Sequence, residues 1–531
     1  LSRRADSILA PSAQSSPLHS AHRRDCCPSG IPPHGASAPT RYPLPAHRDA
    51  VGAHTPRFPR IHHNSTSPMP HPLATLCITA ALALPAVAQR GAISGEMLEN
   101  FRREVPQTPT ARALQNALVT QGVGALATRN NAAEAADTYF SNEAPSKGIT
   151  DQQSSGRCWL FTGLNVMRAQ VIKERQLAKF EFSQSYNSFY DQLEKANLFL
   201  QSMIDYAGRP MDDKTVEWLF KNPISDGGTF TGVQDVVSKY GVVPSEVMPE
   251  SYNANNTREM AGVLALKLRE YGLELRKAYA AGERDAKLQK RKTRQLSTIY
   301  RILTACLGTP PTEFTWTLRD KDGKPVSTER YTPRSFYDRF VGRDLSNYVM
   351  LMNDPSRPYH KTYTIDLDRH TYDGHNWTYI NLPMDEIKQM AIASIKDSTR
   401  MYYSCDVGKF YNRKTGILSL DNFDYGDLFD TTFPMTKADR IRTFASASSH
   451  AMTLCAVDLD KDGKPRKWKV ENSWGPTNGV GGHLIMTDGW FDEYTFRLVV
   501  DKKYVPAATL RLLEQKPTLL PAWDPLFKGE E

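Results

Sequence analysis

Gly148-Ile-Thr-Asp-Gln-Gln-Ser-Ser-Gly-Arg-Cys158-Trp-Leu-Phe161 is a string of polar and turn-forming residues that ends abruptly at a cysteine. From there Leu160, Leu164, Met167 and Val171 recur at helical spacing. The change of pattern predicts a helix that starts at Cys158. The first N–H groups of a helix lack intrahelical acceptors and, with the helix dipole, favour negative charge. A cysteine placed there is drawn towards its thiolate, the form that acts as a nucleophile.

A neighbouring imidazole would strengthen that tendency. After residue 68 only six histidines remain, and one stands in Ser448-Ser-His450-Ala-Met-Thr-Leu, at the edge of a predicted strand. Twenty-two residues later comes Val470-Glu-Asn472-Ser-Trp474-Gly475. An asparagine amide can accept from one imidazole nitrogen and fix its tautomer, so that the other nitrogen faces the sulfur. Trp474 could cover that hydrogen bond from water. Each piece alone has a plainer reading: an inert buried cysteine, a structural histidine, a turn. Their combination, in this order and local context, points to nucleophilic catalysis.

Around this core the chain is long and uneven. Its 531 residues are 40% hydrophobic and 10% aromatic, enough for roughly two to four domains with real cores. Residues 1–68 hold eight Arg, three Asp, seven His and 11 Pro, with no Lys, Glu or Met. That stretch is expected to be disordered or a mis-annotated leader. It carries +5 of the formal +8, and the remaining +3 is too little to argue for nucleic acid. Leu73–Ala83 followed by Ala86-Val-Ala88 has the pattern of a secretory signal peptide over 69–88, although its start lacks a basic residue. Use of that leader implies a secreted or periplasmic protein; otherwise the chain is cytoplasmic. No later apolar run is long enough to span a membrane.

A second helix is predicted from Ser183, its N-cap, to about Ile204. A short helix is expected near Ile93–Arg103, one or two in the charged stretch 257–306, and another at Met384–Asp397. Strands are expected at Ala451–Leu459 and Arg466–Glu471. The basic cluster Lys287, Lys290, Arg291, Lys292 and Arg294 reads as a solvated helix face. Asp458-Leu-Asp460-Lys-Asp462-Gly463 opens like a calcium loop, but its twelfth position is Lys469, and a hairpin turn between strands fits better. No metal-ligand spacing appears, and no cofactor is expected.

The cysteine stretch resembles that of papain-like cysteine peptidases, and more closely the bleomycin hydrolase and bacterial aminopeptidase C family. The likeness continues in Phe182-Ser-Gln-Ser-Tyr, Asn222-Pro-Ile-Ser-Asp-Gly-Gly228, Lys239-Tyr-Gly-Val-Val-Pro244, Cys405-Asp-Val-Gly-Lys, the His450 and Asn472 segments and Leu520-Pro-Ala-Trp-Asp-Pro525. It spans roughly residues 95–525. The resemblance implies an α+β, papain-like two-lobed fold, with a helical lobe and a β-barrel-like lobe. The implied layout is the helical lobe at 89–256, a helical and hook-like insertion at 257–380, and the β lobe at 381–531 with a tail at 521–531.

Carried over, Cys158 matches the nucleophile, His450 the general acid/base, Asn472 the imidazole-orienting residue and Gln152 the oxyanion-hole side chain. Gly227 and Gly228 match the glycine pair along which a substrate backbone lies, and Trp474 lines the same region. Family members assemble as hexamers and use the chain end to anchor a substrate's free amino group, a role that falls here to Glu531. The implied activity is thiol-dependent hydrolysis of peptides, removing N-terminal residues. A secreted endopeptidase with an open cleft is the alternative, and a non-catalytic nucleic-acid- or peptide-binding relative a more distant one. Ser155 stands where many secreted papain-like enzymes have a disulfide cysteine, and Cys306, Cys405 and Cys455 are expected to be buried thiols.

Overall fold

The computed structural model describes residues 91–129 and 137–527. The expectations for 1–68, for 69–88 and for Glu531 lie outside the described residues. The chain forms two compact units, 1–98 and 99–531. Residues 91–98 of the first are described, and the helix that begins there, Gly95–Glu104, buries none of its side chains. The second unit holds a helical layer and a large sheet.

Helix α1 (Cys158–Arg175) starts at the cysteine, as the pattern predicts. Helix α2 (Gln184–Asp205) is capped by Ser183, whose hydroxyl accepts the Tyr186 N–H at 3.1 Å. Helix α3 (Phe230–Tyr240) follows the glycine pair. The charged stretch resolves into α4 (Thr257–Ala280) and α5 (Asp285–Leu307), separated at Gly282, whose φ of +94° no helix allows. Helix α6 is Met384–Lys396. Of the basic cluster on α5, Arg291 pairs with Glu283 and Lys292 donates to Gln201 at 2.7 Å, while Lys287, Lys290 and Arg294 are exposed.

The strands are β1 (Asn142–Glu143), β2 (Phe314–Arg319), β3 (Pro325–Tyr331), β4 (Tyr348–Met352), β5 (Lys361–Ile365), β6 (Thr378–Asn381) and β7 (Met401–Cys405). They continue as β8 (Tyr411–Asn412), β9 (Ile417–Leu418), β10 (His450–Leu459), β11 (Pro465–Glu471), β12 (His483–Thr487), β13 (Thr495–Asp501) and β14 (Thr518–Leu520). The pair β2–β3 is a separate hairpin that packs through Trp316 and Tyr331 onto Phe336 and Phe340. The rest form one sheet in the order β14-β5-β6-β4-β13-β7-β10-β11-β12-β9-β8, with β1 on β10. The barrel-like expectation is refined here: among the described residues the sheet is open, ending at β14 and β8. Strands β4–β6 and β7–β13 thus belong to a single hydrogen-bonded surface.

Period-two alternation divides the core between the faces of that sheet. Met401, Tyr403 and Cys405 of β7 join Leu498 and Val500 of β13 in one cluster with Ile387, Met390 and Trp468. Tyr402 and Val499, on the opposite face, join Trp159, Leu160 and Leu164 of α1. A third cluster is helical, with Phe199 of α2, Leu264 and Leu268 of α4, and Ile299 and Leu303 of α5. Between β10 and β11 the chain turns at Gly463 (φ +78°), and Asp460 Oδ1 accepts the N–H groups of Asp462 and Lys464. The segment is therefore a hairpin turn, as expected.

Helix and sheet are tied by charge as well as by packing. Glu471, at the end of β11, is buried between two guanidinium groups. Its Oε1 accepts from Arg168 of α1 at 2.5 Å, and its Oε2 from Arg400, just before β7. The same arginines donate to the carbonyls of Gly148 and Ala144. Removing the carboxylate would leave two cations buried without their partner, which costs far more than the intact triad contributes. Glu471→Ala is expected to lower stability by about 3–5 kcal/mol, read as a shift in the urea denaturation midpoint.

Candidate active site

His450 is the first residue of β10, and Asn472 follows the last residue of β11. Antiparallel pairing of these strands brings the two together, and His450 Nε2 lies 2.8 Å from Asn472 Oδ1. The backbone settles which atom is the oxygen. The Ser473 N–H, which can only donate, points at the same Asn472 atom at 2.8 Å. That atom is therefore an acceptor, so His450 Nε2 must carry a proton. The other ring nitrogen, Nδ1, is left to exchange a proton with substrate or sulfur. Trp474 stacks on the imidazole, with ring centroids 4.7 Å apart and planes at 27°. The role read for Trp474 from the sequence is to cover the His450–Asn472 bond, and the stacked ring lies against the imidazole that makes it.

Burial pushes the His450 imidazolium down, to about 4, and the Asn472 bond offsets only part of that. A charged His450 in this setting therefore needs a counter-charge, and a thiolate is one. Cys158 opens α1, which packs along β10, and Cys158 shares a buried cluster with Ala451.

Gln152 is joined to the Asn472 segment by two bonds. Its N–H donates to Ser473 O at 2.8 Å, and its Oε1 accepts the Ser473 hydroxyl at 2.6 Å. With the oxygen so held, the Nε2 end donates one hydrogen to Ser155 O at 2.6 Å. Gln153 adopts a left-handed backbone (φ +52°) to make this turn, braced by Asp151. A non-glycine residue pays about 1 kcal/mol for that conformation. Ser473 thus serves both the amide that can stabilise an oxyanion and the amide that orients the imidazole.

The pattern of the Peptidase C1-like family matches residues 92–527. Human bleomycin hydrolase is 38% identical over 446 residues, covering 82% of this chain and 98% of its own. Aminopeptidase G of Lactobacillus delbrueckii subsp. lactis is 39% identical, with 81% and 98% covered. The crystal structure of PepW from Lactobacillus rhamnosis superposes with a TM-score of 0.80 at 37% identity, over 83% of this chain and all of that one.

The chain belongs to the Peptidase C1-like family.

It is a cysteine peptidase with a mixed α and β papain-like fold. Among its described residues no helix is long and apolar enough to cross a membrane, and no group of acidic, His and Cys side chains is arranged to hold a metal.

The structure adds a second reason for a family glycine. Gly228 is expected to be small so that a substrate can approach. A Cβ there would also run into the His370 ring and Trp159. His370 is wedged against Gly232 as well, lies tilted against Trp159 with ring centroids 4.7 Å apart and bonds Asp191 through Nδ1 at 2.5 Å. Sequence reasoning passed over His370 as one of several histidines with no partner in sight.

Asp226, next to the glycine pair, was also missed. Its Oδ2 accepts the Gly156 N–H at 2.6 Å and the Thr257 hydroxyl, and its carbonyl accepts Trp159 Nε1 at 2.8 Å. A Cβ at Gly156 would collide with the same carboxylate. Asp226 therefore fastens the glycine strand to the loop before Cys158. Ser155 closes its own turn, donating to Gln152 O at 2.6 Å. Of the other cysteines, Cys405 and Cys455 are buried as expected, but Cys306 is only half-buried.

Two predictions follow from this geometry. Burial sets the His450 value, so in Cys158→Ala, where residue 158 can carry no charge, the imidazole should titrate near 4, measured by histidine NMR. Between about 6.5 and 4 the unfolded chain then binds a proton that the folded chain refuses, so His450's contribution to stability is lost as pH falls through that window. Ser473→Ala should lower kcat about tenfold or more, because it frees the Gln152 amide, expected from the sequence to be an oxyanion donor, from the segment that carries Asn472. Steady-state kinetics check it.

Proposed function

We propose that the chain is a thiol aminopeptidase in which Cys158 is the nucleophile, His450 the general acid and base, Asn472 the imidazole-orienting residue and Gln152 an oxyanion donor. The observation that carries this reading is the single connected unit His450–Asn472–Ser473–Gln152, which fixes the His450 proton on Nε2 and holds the Gln152 amide oxygen on the Ser473 hydroxyl. The Cys158 thiolate attacks the scissile carbonyl. The oxyanion that forms is held by Gln152 Nε2–H and the Cys158 backbone N–H. Protonated Nδ1 of His450 passes its proton to the leaving amine as the C–N bond breaks. His450, now neutral, takes a proton from water as that water attacks the thioester, and the acid leaves as the C–S bond breaks, which restores the Cys158 thiolate and protonated His450.

The preference for a free amino terminus rests on relatives named aminopeptidase C and aminopeptidase G. It is assigned to the Glu531 carboxylate as the anchor of the substrate ammonium. Gly227, Gly228 and Trp474 are assigned to the substrate cleft, and assembly into a hexamer is part of the same reading. Residues 69–88 are read as the leader that would direct the peptidase to a secreted or periplasmic location.

The test is one peptide supplied free and N-acetylated, incubated with purified chain and with Cys158→Ala. Release of N-terminal residues from the free form alone is the expected result. Internal cleavage of both forms would establish the endopeptidase alternative, and no difference from Cys158→Ala would remove the catalytic reading. Gln152→Ala should retain binding while kcat falls about 100-fold, measured on the same peptide.

A further inference from the structure

The segment Ser225–Gly228 is held from below with unusual completeness. The Ser225 carbonyl accepts from Gln192 Nε2 at 2.8 Å and Lys195 Nζ at 3.1 Å. The Asp226 carbonyl accepts from Trp159, and the Gly227 carbonyl from Lys195 Nζ at 2.6 Å. Lys195 itself is held by Asp191 Oδ2 at 2.8 Å and lies over the Trp159 ring, 5.3 Å from its centroid. Only 12% of its side chain is exposed. The remaining Asp191 oxygen takes His370, whose ring is the floor beneath Gly228. Burial alone would push the Asp191 carboxyl up, but Lys195 and His370 outweigh it and hold it below its ordinary value. The ammonium is thus compensated by a carboxylate that stays charged.

One peptide in this segment is treated asymmetrically. The oxygen of the Gly227–Gly228 peptide is bonded to an ammonium, while among the described residues no protein group accepts its N–H, which belongs to Gly228. A cation bound at a peptide oxygen draws electron density from the nitrogen and makes the N–H a stronger donor. Immobilising the carbonyl also fixes the direction in which that N–H points.

We propose that Lys195 is a positioning residue for substrate, fixing and polarising the Gly227–Gly228 peptide so that the Gly228 N–H donates strongly to a carbonyl of an extended peptide in the cleft. The role rests on the peptidase reading above and is exerted through the peptide, not on the reacting atoms. It explains why a lysine is buried on α2, where neutral Gln192 already serves Ser225. It also explains why an aspartate is committed one turn earlier to pair with that lysine.

Two reagents separate this role from general damage. Iodoacetamide reads only the reactivity of the cysteine and its partners, whereas a free-amino dipeptidyl chloromethyl ketone must also lie along the glycine strand. In Lys195→Met, the second-order rate of labelling Cys158 by the dipeptidyl reagent should fall about tenfold, while the iodoacetamide rate stays within about twofold of wild type. With peptide substrate the same variant should raise KM more than it lowers kcat. Lys195→Arg, which keeps charge and donors, should recover part of the loss. If the methionine variant does not fold, Lys195→Gln keeps a donor without the charge and should lose about threefold or more with the dipeptidyl reagent alone. An equal fall with both reagents, or no fall with either, would overturn the role of Lys195. A wild-type chain that reacts with neither at Cys158 would overturn the peptidase reading together with it.

Discussion

The carboxylate of Glu471 holds together parts of the chain that are far apart in sequence. It draws Arg168, on the helix that begins at Cys158, and Arg400, at the start of a central strand, onto the residue before Asn472. Through the same two guanidinium groups it fixes the carbonyls of Ala144 and Gly148, and hence the approach to the Gln152 turn. Buried ion pairs add little net stability compared with apolar packing. What this triad supplies is direction, since guanidinium and carboxylate are planar and satisfy each other in few orientations. The loop, the helix and the strand that meet at the site are set in register by one buried anion.

Much of the layout was legible because it depends on local pattern. The start of α1 at Cys158, the Ser183 cap, the two charged helices and the Gly463 hairpin all follow from spacing, capping and turn chemistry that a few neighbouring residues decide. The pairing of His450 with Asn472 was legible for a different reason. Both lie at the ends of adjacent predicted strands, and a tight hairpin leaves little freedom in how such ends meet. The openness of the large sheet was not legible, because strand order over 150 residues is set by tertiary packing and leaves no local trace.

The residues that sequence reading missed share one property: they act on groups remote in the chain. Asp226 reaches the Gly156 N–H, Lys195 the Gly227 carbonyl, and the Ser473 hydroxyl the Gln152 side chain. A carboxylate or ammonium in a sequence announces charge but not which distant peptide it will satisfy. Gly228 teaches a related lesson. Its lack of a Cβ reads naturally as room for a ligand, but the space a Cβ would fill is taken by His370, from a segment more than a hundred residues away.

The link between the glycine strand and the cysteine loop has a consequence for the solutions in which the molecule can be handled. Many secreted relatives of this fold place a covalent sulfur bridge at the position of Ser155. Here the connection is made by the Asp226 carboxylate on Gly156 and Thr257. Thiol reductants cleave disulfides and leave carboxylate hydrogen bonds alone. A reducing medium that guards the proposed nucleophile against oxidation therefore does not slacken the frame around it. The cleft and its cysteine can be preserved under one and the same condition, however strong the reductant.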